Sequence, residues 1–218
     1  MSALLKSAAP MSAGSLFGKT PGVLADIYRS DINLVCWQRG VTEDWHSDLH
    51  TLMSRTALSI RQVVDIDDAT NTLVDLLNLD KESALINDFQ QLISMFADLF
   101  MLNRIGVRLE KIDKTMCPRF HTDRLICRLV TTYLGNGTQW LENSYVDRTK
   151  LGAGAQGLPD EHSGIYQSVK DINSAVAGDV LLLKGDGWPK AENAGVIHRS
   201  PPAESDTPRL LLTLDFAD

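Results

Sequence analysis

Cysteine is scarce in this sequence. Only Cys36, Cys117 and Cys127 occur among 218 residues, and their odd number and irregular spacing do not suggest pairs. A framework of disulfide bonds is therefore not expected, and the reducing cytoplasm is the predicted compartment.

Positive charge is also in short supply, and long apolar runs are missing. The chain has 21 Lys and Arg against 28 Asp and Glu, which gives a net charge of −7. Nucleic acids and anionic membranes both require a basic face, so neither is an expected partner. No apolar run approaches the roughly 18 residues of a membrane span. Hydrophobic residues make up 44% and charged residues 22%, the ordinary composition of a globular protein.

The first twenty residues lack an apolar segment of signal-peptide type. They are rich in alanine, serine and glycine. We therefore predict a flexible N-terminal tail over residues 1–20 and a single domain over residues 21–218.

The pattern from residue 21 to 105 indicates a mainly helical region. Thr42 is a candidate N-cap for a helix that continues to Met53, and a weaker helical pattern covers residues 68–79. The strongest pattern covers residues 88–104, where apolar side chains recur at three- and four-residue intervals. Such stripes need a partner, so these helices are expected to pack on the rest of the domain.

From residue 106 to 218 the pattern changes to short strands separated by glycine-containing turns. Candidate strands cover residues 107–112, 119–123, 126–134, 138–141, 180–183, 195–198 and 209–216. Many short strands suggest a sandwich or barrel, and helices followed by strands suggest an α+β fold. The segment 151–163 is glycine-rich and is interpreted as a loop, and residues 142–176 are expected to shape a pocket.

A candidate metal site begins at His121 and Asp123. Residues i and i+2 of a strand point to the same face, so an imidazole nitrogen and a carboxylate oxygen can reach one ion. His198 is the best candidate for the third ligand. Two histidines and one carboxylate leave coordination positions open, which favours non-haem Fe(II).

Arg209 is a candidate anion-binding residue, because it opens the last apolar strand. Burying an arginine is costly unless it meets an anion, and its planar guanidinium suits a carboxylate. Arg128 and Lys184 also lie in apolar strands and compete for this role. Thr131 and Tyr133 follow on the strand after the His-x-Asp pair and have hydroxyl groups for a co-substrate, unless they simply fill the core.

These residues resemble the metal- and co-substrate-binding set of the Fe(II)/2-oxoglutarate dioxygenases. In that family a double-stranded β-helix, the jelly-roll or cupin-like fold, holds the ion. The resemblance covers roughly Leu109 to Phe216. It implies that His121, Asp123 and His198 hold Fe(II) and that Arg209 binds the far carboxylate of 2-oxoglutarate. The implied activity is hydroxylation of an unreactive C–H bond in a small molecule or protein side chain.

A narrower resemblance is to an uncharacterised bacterial family, domain of unknown function 1826. The segments CPRFHTDR, RLVTTYLGNGTQWL and VIHRSP carry it. No reaction is assigned to that family, but the resemblance implies a link to zinc homeostasis.

Three other interpretations remain open at this stage. The same ligands, with or without Cys117, suit a zinc-binding protein of metal homeostasis that performs no oxidation. The fold also suits a β-helix that binds a small ligand without metal. Finally, His121 and Asp123 form an ordinary hydrogen-bonded pair if no ion is involved. A zinc protein has no need of 2-oxoglutarate or of Arg209, which separates the first of these from the oxygenase.

Overall fold

Strands form most of the regular structure in the computed structural model, which describes residues 13–189, 195–202 and 207–217. Within these residues the strands are β1 (Gly14–Gly18), β2 (Ile32–Trp37), β3 (Ser59–Asp65), β4 (Arg104–Ile112), β5 (Cys127–Leu134), β6 (Gln139–Leu141), β7 (Ile172–Ser174), β8 (Val180–Lys184), β9 (Ile197–Arg199) and β10 (Arg209–Phe216). The α-helices are α1 (His46–Met53), α2 (Ala69–Leu77), α3 (Ala84–Phe100) and the single turn α4 (Asp160–Ser163). Short 3₁₀ segments cover Pro21–Tyr28, Glu43–Trp45, Ile66–Asp68, Asn143–Tyr145, Arg148–Lys150, Gly152–Ala155 and Val169–Asp171.

Two sheets build the jelly-roll core of an α+β fold, as predicted. The larger has seven strands in the order β1-β2-β8-β5-β10-β4-β3, and the smaller has the order β7-β6-β9. Neighbouring strands are antiparallel except for β1 and β2, which are parallel. The single backbone bridge between His121 and His198 extends the smaller sheet beyond β9.

Helix α3 covers one face of the larger sheet. Its N-cap is Ser83, whose hydroxyl accepts a hydrogen bond from the backbone N–H of Ile86, and the helix ends where Met101 takes a left-handed conformation with φ 54°. This cap explains why the helix begins four residues before the predicted start. Its buried side, which includes Phe89 and Phe96, belongs to the main hydrophobic core.

The alternation of strand side chains separates the two faces of the larger sheet. Leu210, Leu212 and Leu214 of β10 belong to the helix-side core, together with Leu129 and Tyr133 of β5. The intervening residues therefore point to the opposite face, towards the interior of the jelly roll. That interior face carries the residues of the candidate site.

The region before residue 106 contains three strands that the sequence pattern does not indicate. Strands β1, β2 and β3 all come from it, and β1 occupies part of the predicted N-terminal tail. Strand β2 is buried along its whole length, so its sequence shows no two-residue alternation, whereas the edge strand β3 is mostly exposed and polar. Residues 1–12 of the predicted tail lie outside the described residues.

Two smaller expectations also differ from the structure. Residues 119–123 were expected to form a strand but contribute only the bridge at His121. The predicted loop 151–163 contains two short helical turns. Among the described residues, no helix is both long and apolar enough to cross a membrane.

Candidate metal centre

Backbone pairing brings His121 and His198 together. The N–H of each residue donates to the carbonyl oxygen of the other, at 3.0 Å in both directions. The two imidazole rings have centroids 4.6 Å apart. Residues that are 77 positions apart in the chain are therefore fixed side by side by the main chain, before any ligand binds.

Asp123 completes a cluster of three potential ligands. Its Oδ1 lies 3.7 Å from His121 Nε2, and its Oδ2 lies 3.6 Å from His198 Nε2. The ligand atoms of the three side chains all fall within 4.8 Å of one another. Contacts of this length are too long for hydrogen bonds. The geometry thus argues against a simple hydrogen-bonded His–Asp pair and fits three ligands around one cation.

Hydrogen bonds at Nδ1 orient both imidazole rings. His121 Nδ1 lies 2.9 Å from the carbonyl oxygen of Arg119, and His198 Nδ1 lies 3.1 Å from that of Val196. A carbonyl oxygen can only accept, so each Nδ1 carries the proton and each Nε2 keeps a free lone pair. Both lone pairs are on the side of Asp123. This is the usual outer-shell support of metal-binding histidines.

Burial keeps His198 in the form that binds metals. Desolvation lowers the pKa of His198, an effect that the nearby Asp123 carboxylate opposes and the His121 ring reinforces. The neutral imidazole is therefore favoured at neutral pH. A neutral ring is the form that a metal ion requires.

Arg128 positions Asp123 and does not serve as the predicted co-substrate anchor. One guanidinium nitrogen, Nη1, donates to Asp123 Oδ2 at 2.7 Å, while Nε and Nη2 donate to the two oxygens of Asp215, each at 2.7 Å. The guanidinium group is thus fully paired with these two carboxylates and is not free to bind a co-substrate. Asp215 was not anticipated, although its position, six residues after Arg209 in β10, places it on the same face of that strand.

Arg209 is buried and has no carboxylate partner among the described residues. Only 5% of it is exposed. Its Nε has no hydrogen-bond partner, and its Nη2 makes one long contact of 3.4 Å with Thr132 Oγ1. Burial lowers the pKa of Arg209 to about 10. An anion at this guanidinium would relieve the cost of its burial, so the residue fits the proposed carboxylate-binding role.

A glycine leaves room for this arginine. Gly135 adopts φ +83°, and a Cβ placed there would lie 2.8 Å from Arg209 Cγ. Both the positive φ and the close approach therefore favour glycine at this turn.

The other predicted co-substrate residues point elsewhere. Tyr133 lies in the helix-side core and donates its hydroxyl to Asp88. Thr131 is two residues earlier in β5 and so lies on the same helix-side face. Lys184 donates from Nζ to the carbonyl oxygens of Arg29, at 2.8 Å, and Ile32, at 2.6 Å. The structure therefore does not bring these three residues to the interior face, and Thr131 and Tyr133 fit the alternative that they fill the core. A strand pattern alone does not show which face of a buried strand meets the helices.

The three candidate ligands are next to a cavity on the interior face of the larger sheet. It is lined by Arg108, Glu110, Met116, Cys117, His121, Arg128, Val130, Thr138, His198, Arg199, Ser200, Leu211 and Thr213. Cys117 is exposed and lines this cavity, but its sulfur is not among the three converging ligand atoms. Glu110, Arg108 and Thr213 did not emerge from the sequence, where they appear as ordinary strand residues.

Comparisons with known proteins identify a family and a fold. A family model described as "Protein of unknown function (DUF1826)" matches residues 18–215. A search of curated protein sequences gave no significant match. Dioxygenase for auxin oxidation 1 from Arabidopsis thaliana, in a binary complex with 2-oxoglutarate, is similar in structure, with a TM-score of 0.55 and 11% identity over 94% of this chain and 93% of that chain. The rice dioxygenase for auxin oxidation has a TM-score of 0.51 and 12% identity over 94% and 82%. At these identities the likeness establishes the fold alone.

Proposed function

This chain belongs to the DUF1826 family of proteins of unknown function, and we propose that it is a non-haem Fe(II)- and 2-oxoglutarate-dependent oxygenase. Its substrate is a small molecule or a protein side chain. The observation that carries this proposal is the convergence of His121 Nε2, His198 Nε2 and the Asp123 carboxylate within 4.8 Å.

Arg209 favours the oxygenase over a zinc-handling protein. A protein that only stores or senses zinc needs the three ligands but has no use for a buried guanidinium without an anionic partner. In this chain Arg209 Nε is buried and unpaired among the described residues. The dicarboxylate 2-oxoglutarate supplies an anion, and the similar Arabidopsis protein forms a complex with that compound.

Each residue has a distinct task in this mechanism. When bound, Fe(II) with 2-oxoglutarate and O₂ supplies hydroxylation of a C–H bond, with succinate and CO₂ as the other products. His121, His198 and Asp123 hold the ion on one side and leave positions open. Arg128 positions Asp123 by donating a hydrogen bond to its Oδ2. Arg209 binds and orients the far carboxylate of 2-oxoglutarate, and the surrounding apolar strands exclude water.

An anaerobic titration tests this function directly. Metal-free protein receives Fe(II), 2-oxoglutarate or both, and visible absorbance is followed for the charge-transfer band that arises when both bind. We expect the band only with both, and its loss in His198→Ala. The matched control is His162→Ala, which removes an exposed histidine that is not part of the cluster. No band, together with zinc held tightly by the same three residues, would move the assignment to metal homeostasis.

A further inference from the structure

Glu110 presents an unpaired carboxylate oxygen beside the candidate metal centre. The residue lies in β4 and is only 5% exposed. Its Oε1 accepts from Arg61, at 2.9 Å from Nε and 2.6 Å from Nη2. Its Oε2 is buried and has no hydrogen-bond partner among the described residues. A buried carboxylate oxygen without a donor is costly, so this site requires an N–H or O–H group from a ligand.

Two more polar groups accompany Glu110 in the same cavity. Thr213 lies in β10, and its Oγ1 is likewise buried without a partner among the described residues. Arg108 is directly opposite Thr213 in the sheet and makes no ion pair in the described part of the chain. All three residues line the cavity that also contains His121 and His198. The cavity is also lined by Arg128 and Arg199, but both of these pair with carboxylates. Among the described residues it therefore offers one cation without an ion pair, one carboxylate oxygen without a donor and one hydroxyl without a partner.

The spacing of Arg108 and Glu110 suits a ligand that carries both charges. Residues i and i+2 of a strand point to one face and lie roughly 6.6 Å apart along it. These two side chains do not pair with each other, although their charges are opposite. Arg61 already pairs with Glu110 Oε1, but a ligand with only a carboxylate would leave Glu110 Oε2 without a donor. A ligand with only an ammonium group would leave Arg108 without an anion. A zwitterion satisfies both groups at once.

We propose that the substrate is a free α-amino acid or a close analogue, with its carboxylate on Arg108 and its ammonium group on Glu110. This inference rests on the proposed function, because it places the substrate next to the reacting centre of that oxygenase. Thr213 adds a hydrogen bond to the same ligand. The side chain of the amino acid is then directed towards His121 and His198, where hydroxylation takes place.

The co-substrate does not compete for these groups. Arg209 pairs in register with Ile112, whereas Arg108 pairs with Thr213. The two arginines are thus four residues apart along the paired strands, roughly 13 Å. One arginine is available for each carboxylate-bearing ligand.

The test measures binding rather than turnover. The twenty standard amino acids are titrated anaerobically into protein loaded with Fe(II) and 2-oxoglutarate, with calorimetry and the charge-transfer band as readouts. We expect at least one to bind and to shift the band. Its N-acetyl and carboxamide derivatives, which each lack one charge, should bind at least about tenfold more weakly. Glu110→Gln and Arg108→Met should weaken binding of the amino acid by a similar factor.

Arg104→Met is the matched control for Arg108→Met. Arg104 lies on the same strand, but it is exposed and pairs with Asp65 outside the cavity. This variant should bind the amino acid as the unaltered protein does. Unchanged affinity for 2-oxoglutarate in Glu110→Gln would show that the variant is folded, and the derivatives test the same contacts without any substitution.

The outcomes separate the two proposals. If the charge-transfer band forms but no free amino acid binds, or the blocked derivatives bind equally well, the substrate proposal is overturned and the oxygenase stands. If no band forms, the oxygenase fails. Calorimetric titration of the amino acids into the metal-free protein then tests the zwitterion site independently. Amino acid binding that depends on Glu110 and Arg108 supports the site, and the absence of such binding overturns it.

Discussion

The two faces of strand β10 differ in what they bury. Towards the helices it presents Leu210, Leu212 and Leu214, all within the main hydrophobic core. Towards the interior of the jelly roll it presents Arg209, Thr213 and Asp215 alongside Leu211, and Arg209 and Thr213 are each 5% exposed. The same strand therefore has one face typical of a stable core and another that buries charge and hydroxyl groups.

Unpaired polar atoms are concentrated on the interior face. Four buried side-chain nitrogen or oxygen atoms lack a partner in the part of the chain that the structure describes, and three belong to Glu110, Arg209 and Thr213. Each such atom costs folding free energy. The helix-side face provides the stability that makes this cost tolerable, and the interior face is left ready for ligands. Changes on the two faces should accordingly separate stability from activity.

The largest effect is expected from Asp123→Ala. The variant removes one of the three ligands, while Arg128 keeps its bidentate pair with Asp215. Conversion of 2-oxoglutarate to succinate should fall at least about a hundredfold, since changes to mere partners of metal ligands cost roughly 10- to 100-fold. Thermal unfolding of the metal-free protein should change little. Retained turnover would contradict the ligand assignment.

Leu212→Ala should show the opposite behaviour. This leucine is 1% exposed in the helix-side core. We expect the free energy of unfolding to fall by about 2–5 kcal/mol in urea titrations, because the substitution leaves a cavity. The folded fraction should keep its affinity for Fe(II) and 2-oxoglutarate. If the variant lost iron affinity and kept its stability, the helix-side face would not be the one that determines stability.

Arg209→Met sharpens the comparison on the interior face. We expect the affinity for 2-oxoglutarate to fall roughly 10- to 100-fold, because hydrogen bonds to a charged group contribute about 1.5–3 kcal/mol. Anaerobic titration of the charge-transfer band measures this, and iron affinity should be nearly unchanged. The metal-free variant should be as stable as the parent or more stable, since a buried charge without a partner is removed.

Arg128→Met provides the contrast for that variant. Arg128 pairs with two carboxylates, so its removal leaves Asp123 and Asp215 without their counter-charge. Stability should fall by about 3–5 kcal/mol. If both arginine variants lost stability equally, Arg209 would have a partner in the protein and would be unsuited to anchor 2-oxoglutarate.

The smallest effect concerns pH. Burial lowers the pKa of His198 below its ordinary value of 6.5. Just below pH 6.5 the unfolded chain therefore binds a proton at this residue that the folded chain does not, so the metal-free protein loses stability as pH falls. The free energies of unfolding of the parent and of His198→Asn should differ less at pH 5 than at pH 7. Parallel pH profiles would show that His198 does not contribute to the pH dependence.

Much of the fold was accessible from local patterns. The apolar runs of β5, β8 and β10 were predicted close to their observed bounds, because side-chain periodicity follows directly from backbone geometry. The stripe of helix α3 was also predicted, but its bounds are shifted by four residues at each end. Strands β1, β2 and β3 were missed. Strand β2 is buried on both faces between β1 and β8, which leaves no alternation in its sequence. Strands β1 and β3 are edge strands, and their pairing with β2 and β4 depends on tertiary contacts rather than on a local pattern.

The candidate site divides in the same way. Residue types and spacing sufficed to nominate His121, Asp123, His198 and Arg209, because chemistry restricts which side chains bind a metal or a carboxylate. They could not assign Thr131, Tyr133 and Lys184, because whether a strand residue faces the helices or the interior depends on which partner covers each face. Arg128 does face the interior, but only the tertiary structure shows that Asp123 and Asp215 already pair with it.

The sequence by itself thus determined the apolar patterns of strands β5, β8 and β10, the main helix and the identity of the candidate ligands. These features follow from local backbone geometry and side-chain chemistry. Only the tertiary structure decided which charges are neutralised. Arg128 is held between Asp123 and Asp215, whereas Arg209 Nε and Glu110 Oε2 are buried without partners among the described residues. Pairing depends on distances between residues far apart in the chain, and folding alone sets those distances.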